Sequence, residues 1–331
     1  MKYRLLVSLS LVSLLVLAGC NKTSSIVGPP NSGSSDWTQV TGLTGFYNMA
    51  MSGNIIYAAG NSGVFRSSDN GSTWSVADTS LPSGGYTIAA GNGKLYIGDY
   101  YNYNGMFVSS DSGTTWVAAD SGLETSFPGV YRLIMCVTSA GSTVFAGTSS
   151  NGVFKSTDNG KSWHAANNGI GYGSSVYSIA LSGPNLIAGT QSGTYLSSDD
   201  GESWTANDSG LVNLSPYFSG LPYVATLFVE GSKLYAGALG TQVYLSENNG
   251  QSWVDISGNL PGSAQSGIGL AAVDTSLVVV DDGGVFLSTN DGASWVNIQE
   301  NLPTAGIYSF DEANGYVFVQ LNNGTVWRRP I

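Results

Sequence analysis

The stretch Ser156-Thr157-Asp158-Asn159-Gly160-Lys161-Ser162-Trp163 decides the fold, because the chain repeats its pattern. Each copy reads Ser, any residue, Asp or Asn, any residue, Gly, any residue, Ser or Thr, and Trp. The six copies are Ser67–Trp74, Ser109–Trp116, Ser156–Trp163, Ser197–Trp204, Ser246–Trp253 and Ser288–Trp295. Their tryptophans lie 42, 47, 41, 49 and 42 residues apart. A period of this length is typical of four-stranded blades repeated around an axis, and it predicts an all-β protein, a β-propeller.

Each copy has the parts of a tight turn that ends in a buried side chain. Asp or Asn accepts local backbone N–H bonds, Gly allows positive φ, and Trp buries a large area on the next strand. Asn248 and Asn290 replace the aspartate in the last two copies, and Asn keeps the acceptor oxygen without the charge. A structural role is therefore predicted, and we expect no metal because the oxygen ligands of an EF-hand calcium loop are missing. The predicted structural residues are Asp69, Trp74, Asp111, Trp116, Asp158, Trp163, Asp199, Trp204, Asn248, Trp253, Asn290 and Trp295.

A seventh repeat is incomplete. Val317–Val319 and Gly324–Trp327 match the strands that precede each copy, but no further copy follows them. The missing outer strand is predicted to come from Asp36–Val40, which is similar to the segment after each repeat tryptophan. The sequence thus predicts a seven-bladed β-propeller in which an N-terminal strand closes blade 7 and leaves no open sheet edge.

The repeated phrase resembles the Asp-box, or bacterial neuraminidase repeat (BNR), and the chain after residue 35 resembles a single propeller of that superfamily. The superfamily includes sialidases, some endoglucanases, sortilin-type receptors and Ycf48-like photosystem assembly factors, so the resemblance implies a fold rather than an activity. It also implies where function resides. That place is the face built by the loops between second and third strands and by the connections between blades.

The first residues have the features of an export signal. Lys2 and Arg4 precede the apolar stretch Leu5–Leu17, which is too short to span a membrane. Leu17–Cys20 resembles a bacterial lipobox, which implies cleavage before Cys20 and its acylation, whereas the alternative is an ordinary secretory leader. The expected domains are a lipoprotein signal peptide at 1–19, the lipidated Cys20 with a flexible tether at 20–35, and one propeller at 36–331. The expected location is the bacterial cell envelope, at the outer membrane or cell surface.

Composition disfavours several kinds of partner and site. Loss of Lys2 and Arg4 with the leader lowers the 11 basic residues to 9 against 22 acidic ones, a formal charge of −13. Such an acidic chain disfavours nucleic acid as a partner. His164 is the one histidine and is expected on an outer strand, so neither a catalytic triad nor a histidine-rich metal site is predicted. Cys136 is expected in the core. We expect the protein to bind no cofactor and to be a monomer.

The residues present can be compared with those that two kinds of enzyme require. A sialidase needs clustered arginines for the substrate carboxylate, whereas the four arginines after the leader are scattered: Arg66, Arg132, Arg328 and Arg329. Hydrolysis of a neutral glycan needs only two carboxylates at a suitable separation. The weak catalytic candidates are Asp99, Asp281, Asp282 and Asp311, which could converge near one mouth of the channel. The run Asp281–Gly284 is more simply interpreted as a turn.

The loops of the expected functional face are rich in aromatic residues. Blade 2 carries the insertion Asp99–Asn104, and the connection between blades 4 and 5 is long. Exposed tyrosine gives rigid, amphipathic contact area that suits a sugar ring or a protein, whereas the alternative is that these rings pack on their own blades. The predicted binding residues are Tyr100, Tyr101, Tyr103, Phe127, Tyr172, Tyr217, Phe218 and Tyr223. Alignment of the blades also gives one equivalent position, where the chain enters the innermost strand, to Tyr47, Tyr86, Tyr177 and Tyr308.

These features predict a noncatalytic binding or assembly module, anchored to the membrane by lipid, that recognises an envelope protein or glycan through its aromatic loops. It resembles the photosystem-assembly type more than the sialidase type. One alternative is a glycoside hydrolase other than a sialidase, or a lyase, that uses carboxylates on the same face. Another is a carbohydrate-binding protein without turnover.

Overall fold

The fold is given by a computed structural model that describes residues 36–78, 80–82, 84–124, 131–171, 173–212, 220–261, 269–273, 276–281 and 284–331. Within these ranges the chain forms 28 strands in seven four-stranded antiparallel sheets, and no helix. The predicted all-β, seven-bladed propeller is therefore confirmed. A membrane-crossing helix, which would have to be long and apolar, is not found in the described part of the chain.

Each sheet is one blade, numbered along the chain. The strands of blades 1 to 3 are β2 (Asn48–Ser52), β3 (Ile55–Gly60), β4 (Gly63–Ser67), β5 (Ser75–Asp78), β6 (Tyr86–Gly91), β7 (Lys94–Asp99), β8 (Met106–Ser109), β9 (Val117–Ala118), β10 (Ile134–Ala140), β11 (Thr143–Thr148), β12 (Val153–Ser156) and β13 (His164–Ala165). The strands of blades 4 and 5 are β14 (Val176–Ser182), β15 (Asn185–Thr190), β16 (Gly193–Ser197), β17 (Thr205–Ala206), β18 (Val224–Glu230), β19 (Lys233–Ala238), β20 (Gln242–Ser246) and β21 (Val254–Asp255). The strands of blades 6 and 7 are β22 (Gly269–Val273), β23 (Ser276–Asp281), β24 (Gly284–Ser288), β25 (Val296–Asn297), β26 (Ile307–Ala313), β27 (Tyr316–Leu321), β28 (Val326–Pro330) and β1 (Thr38–Gln39).

The second strand of each blade is nearly continuous in apolar residues because both of its faces pack against other blades. In blade 4 every residue of β15 is buried. Glycine near the end of these strands allows the next blade to approach. A Cβ at Gly147 would lie 2.8 Å from the carbonyl oxygen of Val176 in blade 4, and one at Gly189 would lie 2.9 Å from that of Val224 in blade 5.

The ring closes as predicted, because β1 pairs with β28 as the outer strand of blade 7. The indole N–H of Trp37 donates to the Ile298 carbonyl at 2.7 Å. Three repeat tryptophans make the same bond to the blade before them: Trp163 to the Ala119 carbonyl at 2.8 Å, Trp204 to that of Ala166 at 2.8 Å and Trp295 to that of Ile256 at 3.2 Å. Trp37 therefore takes the position of a repeat tryptophan in the blade that lacks one.

Blade 1 completes the closure from its own side. Trp74 packs edge-on against Phe318 of blade 7, with ring centroids 6.1 Å apart. Arg328 of blade 7 donates to the carbonyl of Asn70 and to the hydroxyl of Ser72 in the first repeat. Side chains from both ends of the chain therefore hold the junction between the first and last blades.

The strand order divides the molecule into two faces. Because successive strands in a blade are antiparallel, the turns between first and second strands lie at the same end as the Ser-x-Asp repeats. We name this end the box face. The loops between second and third strands and the connections between blades lie at the other end, which we name the loop face. The described loops between second and third strands are 61–62, 100–105, 149–152, 191–192, 239–241 and 322–325.

Candidate functional site

The repeated turns are hydrogen-bonded clasps. In the third repeat Asp158 Oδ1 accepts from the Ser156 hydroxyl at 2.8 Å and from the Ser162 N–H at 2.9 Å, while Oδ2 accepts from the Ser162 hydroxyl at 2.6 Å. The Gly160 N–H donates to the Ser156 hydroxyl at 2.9 Å, with a Gly160 φ of 82°. The Ser162 hydroxyl and the backbone N–H groups hold the pKa of Asp158 at about 2. Every bond of the carboxylate is thus made within its own turn.

The asparagine copies keep this geometry with one bond reversed. Asn248 Oδ1 accepts from the Ser246 hydroxyl at 2.8 Å and from the Ser252 N–H at 2.9 Å. Its amide then donates to the Ser252 hydroxyl at 2.8 Å, where a carboxylate would accept. Asn290 makes the equivalent bonds with Ser288 and Ser294. A negative charge is therefore not needed for the clasp to form.

Asp99, a weak catalytic candidate, holds the aromatic loop of blade 2 in place. Its side chain is completely buried at the end of β7. The carboxylate accepts from the backbone N–H groups of Tyr101 at 2.9 Å, Asn102 at 3.2 Å and Asn104 at 3.0 Å. A carboxylate with these bonds organises a turn, and the candidate acid and the candidate binding loop are thus one unit.

Asp281 and Asp311 are also buried, and each joins two blades. Asp281 Oδ2 accepts from the Thr241 hydroxyl of blade 5 at 2.9 Å. Asp311 Oδ2 accepts from the Met49 N–H of blade 1 at 2.6 Å and from the Asn48 amide at 3.0 Å. The three described catalytic candidates therefore belong to blades 2, 6 and 7, and hydrogen bonds of this kind are typical of structural carboxylates.

The loop face presents the tyrosines of blade 2 at two depths. Tyr100 is half-buried: its N–H donates to the Gly85 carbonyl at 2.9 Å, and its ring covers Gly85, where an added Cβ would lie 2.7 Å from the ring. Tyr101 and Tyr103 point outward, with 72% and 48% of their side chains exposed. Tyr103 has a φ of 60°, in the left-handed region that disfavours a bulky residue. Tyr100 therefore anchors the loop on the blade, and the loop exposes Tyr101 and Tyr103 to solvent.

Tyr100 belongs to a three-ring cluster that spans blades 7, 1 and 2. Tyr47 meets Tyr100 edge-on at 5.4 Å between ring centroids and Tyr308 at 5.9 Å. The hydroxyls of Tyr47 and Tyr308 lie 3.2 Å apart. Burial and the Tyr308 contact raise the pKa of Tyr47 to about 12, and burial and its two neighbours raise the pKa of Tyr100 further. The phenols of Tyr47 and Tyr100 are therefore neutral at physiological pH.

A second pair of rings lies at blades 4 and 5. Tyr177 and Tyr223 stack with centroids 4.5 Å apart and an interplanar angle of 31°. Burial, followed by the contact with Tyr177, raises the pKa of Tyr223. Tyr223 therefore packs on the tyrosine of the neighbouring blade.

Tyr86 differs from the three tyrosines that share its position in the repeat. It is completely buried, and its hydroxyl donates to the Pro82 carbonyl. Tyr308 is 42% exposed, and Tyr47 and Tyr177 are half-buried. The shared position in the repeat therefore does not give the four tyrosines the same exposure.

Three residues that the sequence did not single out lie beside the aromatic loop. Tyr131 donates its N–H to the Tyr103 carbonyl at 3.3 Å, and its side chain lies beside that of Asp120 at Gly105. Glu124 pairs with Tyr131 through an isolated backbone bridge. Burial first, and then Glu124, raises the pKa of Asp120. One signal in the sequence could have pointed to these acids. No lysine or arginine occurs between Lys94 and Arg132, so the acids in this stretch have no basic neighbour along the chain.

Several predicted residues lie outside the described ranges: Cys20, Phe127, Tyr172, Tyr217, Phe218 and Asp282. Cys136 is described and is buried, with its thiol 4.0 Å from the Val176 carbonyl. In the described part of the chain no group of three or more His, Cys, Asp or Glu side chains could hold a metal ion.

Comparison with known proteins agrees with this architecture. The family model of the BNR/Asp-box repeat matches residues 154–165, which include the third repeat. No curated protein matches the sequence. The chain is therefore a seven-bladed propeller in which residues 154–165 match the BNR/Asp-box repeat.

Solved structures of other propellers are similar over most of the chain. Ycf48 bound to a D1 peptide has a TM-score of 0.64 at 14% identity, over 92% of this chain and 97% of that one. The extracellular domain of BT4673 from B. thetaiotaomicron has a TM-score of 0.65 at 16% identity, over 88% of this chain and 39% of that one. Virginiamycin B lyase from Staphylococcus aureus has a TM-score of 0.68 at 12% identity, over 89% of this chain and 98% of that one. At these identities the likeness is one of fold alone.

Proposed function

We propose that this protein is a noncatalytic binding or assembly module whose loop face recognises a partner through the tyrosines of blade 2. The observation that carries the proposal is the exposure of Tyr101 and Tyr103 on a loop that Asp99 already holds rigid. Exposed large aromatic rings on a fixed backbone lose little conformational entropy when they bind. Such rings are typical anchors of protein interfaces.

The state of the carboxylates supports binding over hydrolysis. Glycoside hydrolysis needs two carboxyl groups that reach the substrate on either side of the scissile bond. Asp99, Asp281 and Asp311 are buried and accept hydrogen bonds from the protein itself. The similarity in fold to Ycf48, which was solved with a bound D1 peptide, supports a peptide or protein as the ligand class.

The proposed location is the bacterial cell envelope. The leader at 1–19, lipidation of Cys20 and the tether at 20–35 would hold the propeller at a membrane surface. The partner would then be an envelope protein. A glycan is the second candidate ligand, because exposed tyrosine rings such as Tyr101 also stack on sugar faces.

Affinity capture from native envelopes tests the proposal. The parent chain is compared with Tyr101→Ser/Tyr103→Asn, in which Asn suits the positive φ at position 103. Val254→Ser/Val296→Ser is the control, because it removes two exposed apolar side chains from the outer strands of blades 5 and 6. We expect a stoichiometric partner with the parent and the control and its loss with the tyrosine variant. Equal capture by all three proteins would contradict the proposal.

A further inference from the structure

The two exposed tyrosines of blade 2 share one surface with two carboxylates. We define the tyrosine–acid surface by Tyr101, Tyr103, Asp120, Glu124 and Tyr131. Asp120 and Tyr131 lie against the base of the loop, since a Cβ at Gly105 would be 3.0 Å from each of their side chains. The backbone bond from Tyr131 to Tyr103 fixes the loop to the connection that carries the acids.

No basic residue of the described chain forms an ion pair with these carboxylates. Glu124 is exposed, and its Oε2 accepts the Gly122 N–H in the same loop, at 2.8 Å. Its charge opposes ionisation of Asp120, which is already partly desolvated. Two carboxylates beside Tyr131 leave a local negative potential that a cation would relieve.

The nearest basic residues in the sequence make side-chain contacts with residues outside the tyrosine–acid surface. Lys94 begins β7 at the box face and donates to the Ser110 hydroxyl at 2.8 Å. Arg132 lies over the ring of Phe154 in blade 3, with its guanidinium carbon 4.8 Å from the ring centroid. The 37 residues between Lys94 and Arg132 contain no lysine or arginine. The loop face at blade 2 is therefore aromatic and anionic without a compensating cation from its own stretch of sequence.

We propose that the tyrosine–acid surface binds a basic polypeptide segment, with lysine or arginine side chains lying over Tyr101 and Tyr103 and reaching Asp120 and Glu124. This inference rests on the proposed function and adds the charge of the partner to it. Aromatic faces and carboxylates both attract cations, so the two kinds of group on this surface favour the same ligand. The same charges oppose acidic peptides, acidic glycans and nucleic acid.

The loop is organised before the partner arrives. The Asp99 carboxylate fixes three backbone N–H groups from beneath, and Tyr100 packs into the ring cluster with Tyr47 and Tyr308. A preorganised site loses less entropy on binding than one that must fold around its ligand. Binding should therefore depend on the side chains of the surface and little on loop rearrangement.

Three fluorescent peptides of equal length test the inference by anisotropy with the full chain. One has six Gly-Arg repeats, one six Gly-Glu repeats and one six Gly-Ser repeats. The proteins are the parent, Asp120→Asn/Glu124→Gln and Tyr101→Ser/Tyr103→Asn. The control is Glu247→Gln/Glu300→Gln, which removes the same charge from exposed positions in blades 5 and 6.

We expect the parent to bind the Gly-Arg peptide alone, and more weakly as salt rises. The Kd should increase about tenfold in the acid variant, and by several-fold in the tyrosine variant, and it should stay unchanged in the control. Equal effects of the acid variant and the control would overturn the inference. Equal affinity of the parent for all three peptides, or for none, would overturn it as well.

The two proposals fail in different ways. In one outcome, capture of an envelope partner requires Tyr101 and Tyr103, yet the Gly-Ser and Gly-Arg peptides displace that partner equally well. That result would support the proposed function and reject the basic segment. Capture that ignores the tyrosine variant would reject the proposed function itself.

Discussion

The carboxylate of Asp99 accepts a hydrogen bond from the backbone N–H of Tyr101 at 2.9 Å, so an acid that could have served catalysis instead fixes the aromatic residue with the largest exposure among those the structure describes on the loop face. This relationship joins the two functional hypotheses that the sequence keeps separate. The same buried group cannot both hold the loop through three N–H bonds and act freely on a substrate.

Removal of this carboxylate should loosen the loop. Asp99→Ala leaves the N–H groups of Tyr101, Asn102 and Asn104 without their acceptor, at a cost of about 1–3 kcal/mol in unfolding free energy. Amide hydrogen exchange at 100–104 should become faster. Asp99→Asn retains one carbonyl oxygen and should give a smaller effect. Unchanged exchange in the alanine variant would show that the loop is held by other contacts.

The clasp of each repeat should tolerate Asn and reject Ala. Asp158→Asn can adopt the bonds seen at Asn248, in which the amide donates to the serine hydroxyl. Asp158→Ala loses every hydrogen bond that the Asp158 carboxylate accepts and should lower the Tm by about 2–4 °C. Thermal unfolding followed by circular dichroism measures both variants. A similar loss in Asp158→Asn would mean that the charge itself stabilises the turn.

The repeat aspartates should make the fold sensitive to acid. Hydroxyl and backbone donors hold the folded-state pKa of Asp111, Asp158 and Asp199 at about 2, against an ordinary value of 3.8. Between about pH 4 and 2 the unfolded state therefore binds more protons than the native state. The stabilisation that these carboxylates give above about pH 4 is lost as the pH falls towards about 2.

Urea unfolding at a series of pH values measures this effect. Replacement of the four repeat aspartates, Asp69, Asp111, Asp158 and Asp199, by Asn should flatten the fall in unfolding free energy between about pH 4 and 2. A slope that survives these substitutions would assign the acid sensitivity to other carboxylates.

Trp37 should be essential for ring closure. Its side chain is buried and its indole N–H donates to the Ile298 carbonyl. Trp37→Ala should cost about 3–5 kcal/mol, because it leaves a large cavity and opens the junction at blade 7. Trp37→Phe keeps most of the apolar contact and should lose about 1 kcal/mol through the missing hydrogen bond. Chemical unfolding compares the two, and equal stability of the alanine variant and the parent would mean that β1 does not secure the ring.

The repeat made the architecture predictable because its residues act locally. A turn built from Asp, Gly and Trp recurs wherever its sequence does, and the match between Trp37 and the repeat tryptophans was enough to predict how blade 7 closes. Register was harder to predict. In blades 4 and 7 a shift in pairing takes Tyr177 and Tyr308 out of the ladder, whereas in blade 2 Tyr86 pairs directly with Asp99 and is buried.

The candidate site was only partly predictable, because it depends on packing between separate segments as well as on local sequence. Tyr101 and Tyr103 were marked by their density in one insertion, but nothing local to Asp99 indicates that its carboxylate turns inward. The acids of the tyrosine–acid surface were missed because Asp120 and Glu124 follow an outer strand in an ordinary-looking loop. Their position beside Tyr103 depends on the packing of Tyr131 from the start of the next blade.

Site-specific photo-cross-linking in intact cells tests the central claim most directly. A photoreactive phenylalanine analogue replaces Tyr103 on the loop face or Val254 on the outer strand of blade 5, both of which are exposed. We predict one discrete cross-linked protein from position 103, with a basic segment at the site of attachment, and none from position 254. The same products from both positions, or a product from position 254 alone, would contradict recognition through the loop face.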